Sequence, residues 1–211
     1  FQAAATLDPF CRSHERILRH LIDDLGFTVF KFEMSTGCGI MGEHPDFPLD
    51  APFMMDIYRD IAKIGGVVAF DLGSPGDGSN QPEAVRHIAD SFPDMKIAVC
   101  HLMSPRKNHK EQLIKGLTAM NRENIYFDLA ALHWKVRPEE YPFPTAQEFI
   151  RIALDIIGAD RLMWGTDVPT TIARPGLTIQ MLIDYIKDAV PADSVDRIFY
   201  SNAESLYFGG K

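Results

Sequence analysis

Covalent and membrane devices are scarce in this chain. Three cysteines in 211 residues, Cys11, Cys38 and Cys100, are an odd number without CxxC spacing. Neither a disulfide framework nor a cysteine zinc site is expected, and the thiols read as buried or incidental. Long apolar runs are also missing. Gly65 to Phe70 and Ile97 to Cys100 are among the longest, far short of the ~20 residues that span a bilayer, and no basic segment precedes an apolar one at the start. The expectation is therefore a cytoplasmic protein with no membrane partner. Positive charge is in deficit, 21 Lys+Arg against 29 Asp+Glu for a net −8 and a pI near 5.3. No broad surface attracts a phosphate backbone, which argues against nucleic acid as a partner.

What the chain does have is enough apolar residue to build a core, 46% hydrophobic against 24% charged, which excludes disorder. Short apolar runs rich in β-branched and aromatic residues alternate with segments of helical period. The strands expected are Gln2 to Leu7, Thr28 to Glu33, Val67 to Asp71, Lys96 to His101, Asn124 to Leu129 and Arg161 to Thr166. Between them, a helical stripe from Ile17 to Leu25 stops at Gly26, and a helix capped by Asp50 carries Phe53, Met54, Ile57, Tyr58 and Ile61. Further helices are expected at about Pro82 to Phe92, His109 to Asn121, Thr145 to Ile157 and Thr178 to Val190. A terminal helix over Ala192 to Leu206 precedes a Gly209-Gly210-Lys211 tail. No composition shift divides the chain, so residues 1–211 read as one α/β domain.

Six βα units fit either an open doubly wound sheet or six of the eight units of a (β/α)8 barrel. The open sheet lacks its usual Gly-rich turn, since the first strand exits through Leu7-Asp8-Pro9-Phe10. Gly73 to Gly78 matches no phosphate-loop spacing and reads as a flexible loop. The strand ends favour the barrel: Lys31, Asp71, His101, Asp128 and Asp167 each close an apolar run on the side that would form the C-terminal face. In a barrel these ends converge, and acids, an imidazole and an ammonium around one axis suit metal binding or acid–base chemistry on water. Singly, each Asp serves equally well as a helix cap or turn residue.

Arg161-Leu162-Met163-Trp164-Gly165-Thr166-Asp167-Val168-Pro169 resembles the strand-eight signature of the amidohydrolase-related (amidohydrolase 2) family. Asn202 to Phe208 is similar to that family's closing segment, and Ile97 to Leu102 to its strand-six pattern. Gly26 to Lys31 and Phe47-Pro48-Leu49-Asp50 fit its middle section. The resemblance implies a distorted TIM barrel that works in hydrolysis or decarboxylation of small carboxylated, often aromatic-derived compounds, frequently with zinc or another divalent metal such as manganese. By the same resemblance, Asp167 binds metal or takes a proton from water, His101 acts on the substrate, and Lys31 lies at the strand-four position. Lys31, His133 and Arg106 are expected to bind substrate.

Two departures qualify the resemblance. None of the seven histidines forms the family's His-x-His pair, and Asp71 stands where a strand-five ligand histidine is expected. Counting back from strand eight aligns Phe1 to Leu7 with strand three, so the first two βα units, roughly 70 residues, are expected outside this sequence. The metal ligands expected here are Asp167 and Asp71. The function expected is hydrolysis of a small carboxylated or lactone substrate by an activated water. Decarboxylation and a non-catalytic binding role are the alternatives, and a homo-oligomer would cover the exposed barrel seam.

Overall fold

The computed structural model describes residues 2–45, 47–172 and 176–209; Gly210 and Lys211 of the expected tail lie outside them. Six parallel strands are β1 (Ala5–Thr6), β2 (Val29–Glu33), β3 (Val67–Asp71), β4 (Lys96–Val99), β5 (Ile125–Asp128) and β6 (Leu162–Met163). They pair strictly in chain order. A doubly wound sheet reverses its strand order part-way, whereas a barrel wall does not, so this order selects the TIM-barrel-like architecture. Around the sheet lie α1 (His14–Arg19), α2 (Ile40–Glu43), α3 (Pro52–Lys63), α4 (Pro82–Ser91), α5 (Lys110–Ala119), α6 (Leu132–Lys135), α7 (Pro144–Ile157), α8 (Ile179–Lys187) and α9 (Asn202–Phe208).

Strand alternation divides the sheet into two unlike faces. Phe30, Phe32, Val68, Phe70, Ile97, Val99 and Phe127 belong to the large buried cluster beneath the helices. The intervening Val29, Val67, Ala69 and Ala98 form a smaller cluster with Met163 and with Leu206 of α9. That second face carries Lys31, Glu33 and Asp71 toward the strand ends, where Glu33 lies in register with Asp71. One face is therefore core, and the other grades from small apolar residues into charge.

Four expectations need correction. The outer strands pair over only two residues each, because each has a neighbour on one side and nothing extends the ladder. Asp50 does not cap α3, whose N-cap Ala51 leads into Pro52 without a side-chain bond; the Asp50 carboxylate instead meets His87 Nδ1 at 2.7 Å. The terminal helix is interrupted by a 3-10 turn at Ala192–Ser194 and a π turn at Arg197–Ser201 before α9 begins. The Gly73 to Gly78 loop is tied down rather than free, since Asp77 accepts bonds from Thr36 Oγ1 at 2.6 Å and Ser79 Oγ at 2.7 Å.

Buried amides lock the rest. Asn124 Nδ2 donates to the carbonyls of Ala89, Phe92 and Met95 at 3.1 to 3.2 Å, joining the end of α4 to β5. Asn202 Nδ2 donates to Ala159 and Leu162 at 2.7 Å, which pins α9 to β6. Each such bond contributes on the order of 1 kcal/mol, and an unpaired buried carbonyl would cost more.

Candidate active site

Beyond Val99 the chain leaves β4 through an unusual turn. His101, Leu102, Met103 and Ser104 have φ of 57°, 47°, 63° and 55°, a run of left-handed residues with no glycine among them. This conformation costs roughly 1–2 kcal/mol per residue and persists only where surrounding contacts over-determine it. Here Asp128 Oδ1 accepts the His101 backbone N–H at 2.8 Å and that of Ala130 at 3.0 Å. Ser74 Oγ donates to the Ser104 carbonyl at 2.7 Å. The turn aims the His101 imidazole across the strand ends instead of along the β4 alternation.

Three carboxylates surround that imidazole. Nε2 lies 3.5 Å from Asp71 Oδ2 and 4.0 Å from Asp167 Oδ2, while Nδ1 lies 3.2 Å from Asp128 Oδ1. The Nδ1 contact has ion-pair distance without hydrogen-bond alignment, because the Asp128 oxygen already serves the two backbone amides. Lys31 Nζ approaches Asp71 Oδ2 at 2.8 Å, so one carboxylate oxygen receives both cations. Asp167, itself left-handed at φ 54°, is the open member, with 42% of its side chain exposed against 7% for His101.

Charge states follow from this packing. Burial acts to deprotonate His101, but the close carboxylates of Asp128 and Asp71 outweigh it and lift its pKa to about 10. Burial would likewise raise Asp71, yet the His101 and Lys31 cations hold it well below the usual carboxylate range. Lys31, opposed by burial, is held above its ordinary value chiefly by its bond to Asp71. Glu33 is pushed upward by burial and by sharing a bond with Asp71. At neutral pH His101 is an imidazolium, a donor of protons and hydrogen bonds and not a base.

A cavity of about 280 Å³ brings together Lys31, His101, Asp128 and Asp167 with Trp164 and Tyr207. Trp164 stacks on Phe199 at 5.3 Å, and its indole N–H is buried without a partner among the described residues. Two expected substrate residues are not among those lining this cavity. His133 sits in the core between Phe143 and Tyr185, with Nε2 bonded to the Thr171 carbonyl at 3.0 Å. Arg106 lies on the exposed turn that precedes α5, its backbone N–H donating to His109 Nδ1 at 3.3 Å. Sequence reasoning passed over Glu33, Trp164 and Tyr207. Glu33 was detectable, since it is two residues beyond Lys31 on the same strand face.

The expected metal ligands do not assemble a site among the described residues. No group of three or more His, Cys, Asp or Glu side chains there is arranged to hold an ion. The Asp71 oxygen nearest His101 is already bound to an ammonium. The donors present therefore do not fit a divalent ion by themselves. No helix among the described residues is long and apolar enough to cross a membrane.

The sequence model of the amidohydrolase family matches residues 2–209. No curated protein matches the chain. Among solved structures, a Pseudomonas putida protein provisionally assigned as a 2-pyrone-4,6-dicarboxylic acid hydrolase superposes with a TM-score of 0.71 at 14% identity, over 98% of this chain and 71% of that one. The 5-carboxyvanillate decarboxylase of Sphingomonas paucimobilis does so at 0.67 and 15%, over 98% and 66%. A Burkholderia multivorans amidohydrolase with bound zinc gives 0.70 and 13%, over 90% and 70%. At these identities the structural likeness carries the fold.

Proposed function

The chain belongs to the amidohydrolase family, and from that premise we propose that it hydrolyses a small carboxylated ester or lactone by attack of an activated water. The observation that carries this reading is the opposed pair across the strand ends: the buried His101 imidazole facing the half-exposed carboxylate of Asp167 at 4.0 Å. Asp167 accepts a proton from water as its oxygen attacks the carbonyl carbon. The His101 N–H donates to the oxygen that gains charge, and burial strengthens that bond. Collapse of the adduct expels the leaving oxygen, which takes the proton back from Asp167. Asp71 holds the imidazolium in place, and Lys31 neutralises Asp71. These steps use only groups the chain itself supplies; zinc or manganese would need donors beyond the described ones.

Decarboxylation is the second reading, favoured by the same protonated His101, which is a proton donor suited to a ring carbon. One experiment separates the two. Wild type and Asp167→Asn are assayed on a panel of lactones and a panel of hydroxybenzoates, with acid and carbon dioxide release followed separately. Lactone opening that falls by about 10²–10⁴ in Asp167→Asn, with the unfolding midpoint unchanged, is expected. Carbon dioxide release without ring opening would transfer the assignment to a decarboxylase. Inactivity of the wild type on both panels, or full activity of Asp167→Asn, would refute the hydrolase.

A further inference from the structure

A second cavity, about 350 Å³, opens beside the first at the ends of β1 and β2, and Lys31 lines both. Its lining is apolar at Leu7 and Ile40 and acidic at Asp8, Glu33 and Glu43, with Cys38 among the lining residues. Asp8 Oδ1 accepts the Phe10 backbone N–H at 2.9 Å. Neither Asp8 nor Glu43 has a cationic partner among the described residues, and both are exposed. The basic groups that line this space are Lys31, bound to Asp71, and His44, whose ring stacks on Phe10 at 4.0 Å. No free cation is left among the described lining residues to receive an anion.

Resting on the hydrolase reading of the neighbouring cavity, we infer that this second cavity is the specificity lobe for the remainder of the substrate, and that it selects a ring bearing an uncharged or cationic group over one bearing a second carboxylate. The apolar side chains of Leu7 and Ile40 take the ring by burial. The exposed carboxylates of Asp8 and Glu43, without a cationic partner among the described residues, repel a carboxylate and attract a cation. A dicarboxylated substrate would bring a negative charge into this cavity, where no free cation among the described lining residues meets it.

Cys38 reports occupancy of the lobe without any need for turnover, since it is an exposed free thiol on the cavity wall. The full chain is treated with the uncharged reagent N-ethylmaleimide at low ionic strength, and labelling of Cys38 is resolved from Cys11 and Cys100 by peptide mass mapping. Benzamidine, benzamide and benzoate serve as probes of one shape and three charges. Benzamidine is expected to protect Cys38 at a concentration about tenfold below that of benzoate, with benzamide between them. In the double variant Asp8→Asn, Glu43→Gln the three converge. Protection by benzoate equal to or better than by benzamidine overturns the inference, as does protection by none of them. Because labelling is independent of the Asp167 assays, failure of this charge order leaves the hydrolase assignment standing, and failure of turnover leaves the charge order readable.

Discussion

The two faces of one sheet make opposite uses of the same strands. In β3, Val68 and Phe70 point into the cluster beneath the helices, while Val67, Ala69 and Asp71 point the other way. The outer face packs its strand side chains into close hydrocarbon. Across the inner face, small residues near the strand starts leave room, and charged residues at the strand ends fill it. Stability and chemistry are thus assigned to alternate residues of a single segment, and substitutions one position apart should separate them.

The largest effect on folding is expected from Phe70→Ala, at a side chain with no exposed surface. Loss of its contacts and the cavity left behind should cost about 3–5 kcal/mol, read from urea unfolding, while turnover per folded molecule stays near the wild-type value. Asp167→Asn should do the reverse. If Phe70→Ala removed activity from the folded fraction as well, the division between the two faces would fail.

A smaller effect is expected at Asp128, which joins both roles. Asp128→Ala removes the acceptor for the His101 and Ala130 amides and should cost about 1–3 kcal/mol. Asp128→Asn keeps an acceptor oxygen but loses the charge, so most of the stability should return while the His101 pKa falls. Equal losses in the two variants would mean that the charge, and not the backbone bonds, holds the left-handed turn.

The positions of the six strands were legible because each apolar run is bounded by Gly, Pro or charge. The lengths of β1 and β6 were not, since a ladder needs a partner and these strands have one side only. Lys31, Asp71, His101 and Asp167 were legible as strand ends, and chain direction alone brings strand ends together. The turn that aims His101 was hidden, because His-Leu-Met-Ser contains none of the residues that normally announce φ above zero. The packing of His133 was hidden for a different reason. Its distance along the chain from β5 said nothing about direction, and Tyr185 of α8, remote in sequence, claims its ring for the core.

Protonation of His101 also predicts how stability depends on pH. Its folded pKa of about 10 lies above the ordinary histidine value near 6.5. The stabilisation it gives is therefore fully present below about pH 6.5 and is lost as pH rises through about 10. Asp71 has the opposite sign: its depressed pKa contributes above the usual carboxylate range and is lost as acid is added. Stability should consequently fall on both sides of a weakly acidic plateau, the alkaline fall shrinking in His101→Asn to the part that Lys31 contributes.

The most direct test of the account is an NMR titration of the His101 imidazole in the folded chain, assigned by comparison with His101→Asn. A midpoint near 10, moving toward 6.5 in Asp128→Asn, is the predicted result. A wild-type midpoint at or below 6.5 would mean that the ring is neutral at physiological pH, and would contradict its role as the hydrogen-bond donor opposite Asp167.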